Sequence, residues 1–282
     1  MATIRNSFIY VILWLVPKNI FSRFLGFLVS LKLPKNMALF VNKSFVSIYK
    51  LTMSEAEKDM GDYACLQDLF TRRLKASARV LDTAQDCIIS PCDGVVSEAG
   101  VITRARLLQI KGKYYSLRDL LGCEELAARF DNGHFATIYL SPRDYHRFHV
   151  PLDARLRKTV YIPGTLWPVN EWAVATVKNL FGQNERIISV FDADYNHKQL
   201  AHVAVGACVV GKIKMSYCSL ESNTRESKTH MAHDLRMRKG EDLGVFMFGS
   251  TIIMLFESGL ITNLLVTAPT TVRMGQALAR LA

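Results

Sequence analysis

Acidic residues are missing from the start of this chain. None precedes Glu55, although Arg5, Lys18, Arg23, Lys32, Lys35, Lys43 and Lys50 all fall in that stretch. The arm is therefore uniformly cationic and cannot be a run of mutually ion-paired helices. Long hydrophobic runs are missing as well. Residues 8–16 (FIYVILWLV) and 20–31 (IFSRFLGFLVSL) are separated by Pro17, Lys18 and Asn19. Each falls short of the ~20 mostly apolar residues a spanning helix requires. No small-x-small site follows the first run, which argues against a cleaved secretory signal. The six cysteines, at 65, 87, 92, 123, 208 and 218, lack disulfide-like or zinc-like spacing. They read as reduced thiols in a cytoplasmic setting, and no metal is expected. Internal repeats and low-complexity linkers are absent too.

What the arm does have is apolar residues between its charges, which suits amphipathic helices lying in a membrane interface and drawn to anionic lipid. The alternative is a pair of helices docked on the core. The formal net charge of +10 would also suit nucleic acid, but no helix-turn-helix or zinc-finger pattern accompanies it, and no nucleic-acid partner is expected. Ser54-Glu55-Ala56-Glu57 reads as a capping box opening a helix to about residue 77, with Leu66, Leu69, Phe70 and Leu74 at helical spacing. From residue 87 strand patterns dominate: 94–102, 106–110, 134–141, 155–162, 186–192, 200–213, 244–248 and 251–257. In VGACVVGKI (205–213), Gly206 and Gly211 would ease close approach of backbones. The stretch holding His230 and His233 reads as a solvated loop, and 268–282 as a peripheral tail. The expected fold is α+β: a helical, membrane-facing N-terminal part (1–80) on a largely antiparallel β core forming the catalytic domain (81–282).

Chemistry concentrates at three places. Pro91-Cys92-Asp93-Gly94 is a tight turn presenting a carboxylate. His146 and His149 lie three apart in a polar turn after an alternating strand. Ser250 follows Gly249 at the junction of GVFMF (244–248) and TIIMLF (251–256). Gly-Ser between strands is most often a plain turn. Together, though, these residues supply an attacking oxygen, a base and an orienter of the base. The order Asp, His, Ser and the lack of a G-x-S-x-G elbow disfavour an ordinary serine hydrolase. A membrane-associated Asp-His-Ser hydrolase with an intact chain, and a non-catalytic basic binding protein, remain as alternatives.

The strings PCDG (91–94), YLSPRDYHRFHVP (139–151), GTLWPVN (164–170), NERI (184–187), VGACVVGKI (205–213) and KGEDLGVFMFGST (239–251) together resemble bacterial phosphatidylserine decarboxylase, in that family's order and across roughly residues 60–265. Phe248 stands where the family commonly has Leu. The resemblance implies a proenzyme in which Ser250 attacks the Gly249 carbonyl and the chain parts between them into β and α chains. Residue 250 would become a covalent pyruvoyl cofactor that forms a Schiff base with phosphatidylserine and yields phosphatidylethanolamine and CO2. By the same resemblance Asp93, His149 and Ser250 form the self-processing triad, and His146 serves decarboxylation. The enzyme would sit peripherally on the cytoplasmic face of the cell membrane, as a dimer of processed protomers.

Overall fold

The computed structural model describes residues 17–110, 112–208, 211–224, 228–247 and 249–282. The apolar run 8–16, Arg5, Val209, Val210 and Phe248 lie outside them. Among the described residues, sixteen strands follow an N-terminal helical part. They are β1 (Cys87–Ile89), β2 (Gly94–Val101), β3 (Arg106–Ile110), β4 (Lys113–Ser116), β5 (His134–Leu140), β6 (Arg147–His149), β7 (Ala154–Ile162) and β8 (Arg186–Ala193). The second half holds β9 (Gln199–Gly206), β10 (Ile213–Met215), β11 (Thr229–Met237), β12 (Asp242–Phe246), β13 (Ser250–Phe256), β14 (Ile261–Leu264), β15 (Thr270–Val272) and β16 (Ala277–Leu281).

The main sheet has eight strands in the order β11-β7-β8-β9-β13-β5-β2-β15, and every neighbouring pair is antiparallel. β13 reads as an unbroken apolar run because both of its faces are buried, the sequence signature of a strand with no solvated side. Ile252, Met254 and Phe256 enter one core, and Ile253 and Leu255 the other. Short helices, including Leu117–Leu121 and Glu124–Phe130, cover the second core. Two three-stranded sheets, β1-β16-β14 and β10-β12-β6, cover the first. The α+β class with a largely antiparallel core is as expected.

Three expectations fail in the C-terminal half. Residues 268–282 are not a peripheral tail: β15 edges the main sheet, and β16 is the middle strand of a small one, with Leu278 and Ala279 fully buried. The short apolar stretches there are interrupted in the sequence by Arg273 and Arg280, which hides the strands. His230 and His233 lie on edge strand β11, not in a loop, and the alternating exposure of that strand explains its polar composition. The expected strand 200–213 ends at Gly206. Gly206 and Gly211 do approach closely: a Cβ on Gly206 would stand 3.0 Å from the Gly211 carbonyl oxygen.

Ahead of the sheets stand α1 (Lys18–Ser30) and α2 (Lys35–Tyr49), each entered from a proline. None of the helices among the described residues is long and apolar enough to cross a membrane. α1 docks on the 164–167 loop, where Asn19 Nδ2 donates to Gly164 O (2.9 Å) and the Lys18 ammonium lies 3.9 Å from the centre of the Trp167 ring. The helix expected from the capping box is absent. Glu55 spends its carboxylate on Arg79 and Arg273, and Glu57 N donates to Arg73 O, so residues 51–80 form a strap of short turns. Only α3 (Leu66–Phe70) is α-helical within it, carrying Leu66, Leu69 and Phe70 of the expected apolar set.

Asn184 ties two of the sequence motifs together. Its side chain accepts from Trp167 N (2.8 Å) and donates to Trp167 O and Gly206 O (both 2.9 Å), all buried. Asn184→Ala strands these backbone groups, and a loss of about 2–4 kcal/mol is expected. It should appear as a lower urea midpoint at unchanged slope; a loss below about 1 kcal/mol would mean that water replaces the amide.

Candidate active site

Ser250 is the first residue of β13, opposite Leu140 of β5 and Gly206 of β9. It is fully buried, and its Oγ has no hydrogen-bond partner among the described residues. Gly249 before it has φ +27°, in the left-handed region that penalises a side chain. Among the described residues a Cβ there would meet only the Cys208 carbonyl oxygen, at 3.7 Å. Backbone angle rather than space is therefore what calls for glycine.

His146 follows a turn closed by Ser141, whose N and Oγ donate to Asp144 Oδ2 (2.7 and 2.6 Å). Its Nδ1 donates to Asp144 O (2.9 Å), which leaves Nε2 as the basic nitrogen, buried and unpartnered among the described residues. The ring packs 4.0 Å, centre to centre, from Phe70 of α3. Burial lowers the His146 pKa to about 3, with the Arg72 charge adding to the effect. The imidazole is thus neutral at physiological pH.

His149 is held by three bonds. Its N donates to Pro91 O (2.8 Å), Nδ1 donates to Gly240 O (2.9 Å), and the Tyr145 hydroxyl donates to Nε2 (3.1 Å). Burial lowers its pKa too, while the Asp93 and Asp242 charges act the other way. It borders a cavity of about 460 Å³ shared with Tyr145, Arg73, Arg147 and Asp242.

Asp93 closes the turn before β2. Arg79 Nε donates to Oδ1 (2.9 Å), Arg79 Nη2 to Oδ2, and Met274 N to Oδ1 (2.9 Å). The structure gathers Asp93 and His149 through the Pro91 carbonyl but does not hydrogen-bond one to the other. Nor does it join His149 to Ser250. The base position of His149 is filled by Tyr145, and the carboxylate by Arg79. Cys92 is fully buried, and burial pushes its thiol well up, so it is an inert filler.

Arg72, Arg79, Tyr145 and Glu185 were not foreseen. The two arginines lie in a cationic stretch (TRRLKASAR) that resembles a solvated helix end, and only the fold turns them inward. Glu185 lies beside Gly206, the residue facing Ser250: a Cβ on Gly206 would be 3.3 Å from Glu185 Cγ. Its carboxylate accepts from Ser222 Oγ (2.9 Å), Asn223 N (3.1 Å) and Tyr161 OH (3.3 Å).

A buried serine hydroxyl without a partner among the described residues, a glycine in left-handed backbone before it and two desolvated imidazoles, His146 in the turn after β5 and His149 on β6, make a candidate hydroxyl–imidazole site in an antiparallel α+β fold. The chain belongs to the phosphatidylserine decarboxylase family, whose sequence model matches residues 66–280. It is 38% identical to the phosphatidylserine decarboxylase proenzyme of Alcanivorax borkumensis, over 91% of this chain and 90% of that one. The proenzyme of Herminiimonas arsenicoxydans is 39% identical over 95% and 92% of the two chains. That of Histophilus somni (strain 129Pt) is 41% identical over 85% and 84%.

Burial raises the Glu185 pKa to about 7, against the three hydrogen bonds it accepts. The folded chain therefore holds a proton that the unfolded chain releases near pH 4.5, and stability falls as pH rises from there to about 7. Glu185→Gln removes this slope. The difference in unfolding free energy between wild type and variant should change by on the order of 2–3 kcal/mol across that window, with the common histidine contributions cancelling. Parallel urea titrations that stay a constant distance apart would show Glu185 to be ionised throughout.

Proposed function

We propose that this chain is a phosphatidylserine decarboxylase proenzyme that makes its own cofactor at Ser250. The observation that carries the reading is the buried Ser250 hydroxyl, without a partner among the described residues, following a glycine in left-handed backbone at the head of the central strand. Family membership supplies the reaction class. Ser250 Oγ attacks the Gly249 carbonyl carbon; the Gly249–Ser250 C–N bond breaks, its nitrogen takes a proton, and an ester remains. Loss of the Ser250 Cα proton expels Gly249 as a carboxylate, and hydrolysis releases ammonia from residue 250.

His149 takes the hydroxyl proton once Tyr145 gives way at Nε2, and the Asp93 charge stabilises the imidazolium. The fit of the pyruvoyl group to the site rests on the same orphaned hydroxyl position, with His146 Nε2 buried and free to exchange a proton with the substrate. A pyruvoyl group at position 250 supplies the carbonyl that accepts the electron pair left behind by CO2. His146 then holds and returns the proton at the substrate carbon.

The same reading places the enzyme peripherally on the cytoplasmic face of the membrane, as a dimer of processed protomers, with residues 1–80 as the lipid-associating region and 81–282 as the catalytic domain. In support, α1 and α2 turn Phe24, Phe27, Phe40 and Ile48 outward beside lysines and arginines, a composition suited to an anionic bilayer.

Denaturing intact-mass measurement should give two species, 1–249 and 250–282, the smaller lighter by one ammonia than a serine-started peptide. Ser250→Ala should give one. His149→Ala should slow scission by about 100-fold or more, and His146→Ala should leave scission but lose most turnover. A wild-type chain that stays intact and labels with a fluorophosphonate would overturn the proposal in favour of a hydrolase.

A further inference from the structure

Arg72 is a buried cation that pairs with no carboxylate among the described residues. It is 5% exposed; its Nη2 donates to Arg143 O (3.2 Å) and Asp144 O (3.4 Å), while Nε and Nη1 have no partner among the described residues. It borders a cavity of about 250 Å³ in which cationic side chains outnumber carboxylates. The carboxylates are already engaged. Asp93 is bound by Arg79, Glu55 by Arg79 and Arg273, and Asp144 by Ser141. An unpaired guanidinium out of water is costly, and burial accordingly lowers the Arg72 pKa. An oxyanion from outside would complete it in the fork geometry that arginine favours.

We propose that Arg72 anchors the phosphodiester of the lipid headgroup at the inner end of this cavity. The inference rests on the decarboxylase reading and goes beyond it. Position supports it: Arg72 Nη2 and His146 Nδ1 meet at the same Asp144 carbonyl, so the anchored anion lies beside the histidine assigned to the reaction. In phosphatidylserine only one methylene and one ester oxygen separate the reacting carbon from phosphorus. The lining also includes the exposed Lys50, which follows α2, and α2 exposes Phe40 (74%) and Ile48 (72%), so the headgroup would enter from the side where an apolar face is turned out. The substrate carboxylate is the other oxyanion available, but it leaves as neutral CO2. A cation fixed on it would stabilise the ground state more than the transition state, whereas the phosphodiester keeps its charge throughout. A bound anion at Arg72 also cancels the charge that discourages protonation of His146.

The test uses Arg72→Gln and Arg72→Lys in the full chain, each checked by intact mass for scission and by urea unfolding for the fold. For processed enzyme, KM for short-chain phosphatidylserine should rise about 30-fold or more in Arg72→Gln, with kcat changed far less, and Arg72→Lys should recover part of the loss. Glycerophosphoethanolamine, which has the phosphodiester and no carboxylate, should lose inhibition at least 10-fold in Arg72→Gln. L-Serine, which has the carboxylate alone, should be unaffected. Should Arg72→Gln fail to cleave, calorimetric binding of glycerophosphoethanolamine to Ser250→Ala chains with and without Arg72→Gln reads the same anchor without scission. Unchanged KM and inhibition, loss confined to L-serine, or no binding to the Ser250→Ala chain at millimolar ligand would each overturn the proposal. Absence of turnover by the processed wild type would instead overturn the decarboxylase reading.

Discussion

A strand hydrogen-bonded along both edges and buried on both faces cannot shift its register without dismantling the sheet around it, and β13 is such a strand. Its first residue, Ser250, therefore has a place set by two ladders at once. What surrounds that place follows from the neighbours. β5 leads into the turn carrying His146 and on into β6, which ends at His149, and β9 ends at Gly206, which Asn184 and Glu185 clasp from the side. β6 and β12 then pair, so that the segment approaching Gly249 is itself braced against the histidine strand.

Desolvation governs the chemistry of this region more than any single ion pair. His146 and His149 are both pushed toward the neutral form by burial, and Glu185 toward its protonated form. A site whose resident groups are kept uncharged is responsive to charge brought in from outside. The strap of residues 51–80 matters here because Phe70 seals the face of His146 while Arg72 and Arg79 deliver the positive charge. The strap thus helps build the site, and does more than connect the N-terminal helices to it.

The candidate site is legible in the sequence where chemistry and chain proximity coincide. Asp93, His146, His149 and Ser250 announce themselves by residue type and by long surrounding strings, and the apolar runs around them mark their strands with small boundary errors. Pairings that depend on distant segments were not legible. Arg79 meets Asp93 across the strap, Tyr145 caps His149 from within its own turn, and Glu185 reaches Gly206 from another strand. The failed helix after Ser54 has the same origin: its acidic side chains look like caps locally but are claimed by arginines brought close only by folding. The buried C-terminal strands were hidden by charged residues that project outward between small apolar ones.

Residues 250–282 contain β13, β14, β15 and β16, which lie in both the main sheet and one of the small ones. A break before Ser250 would remove no strand and open only the connection between β12 and β13. The two pieces would then behave as a naturally split protein, each lacking part of a common core. Once denatured, they could reunite only by collision, so recovery would depend on the square of concentration where the intact chain needs only itself. Folding before cutting would then be the single productive order of events, and the mature molecule would carry the memory of a precursor it could no longer easily rebuild.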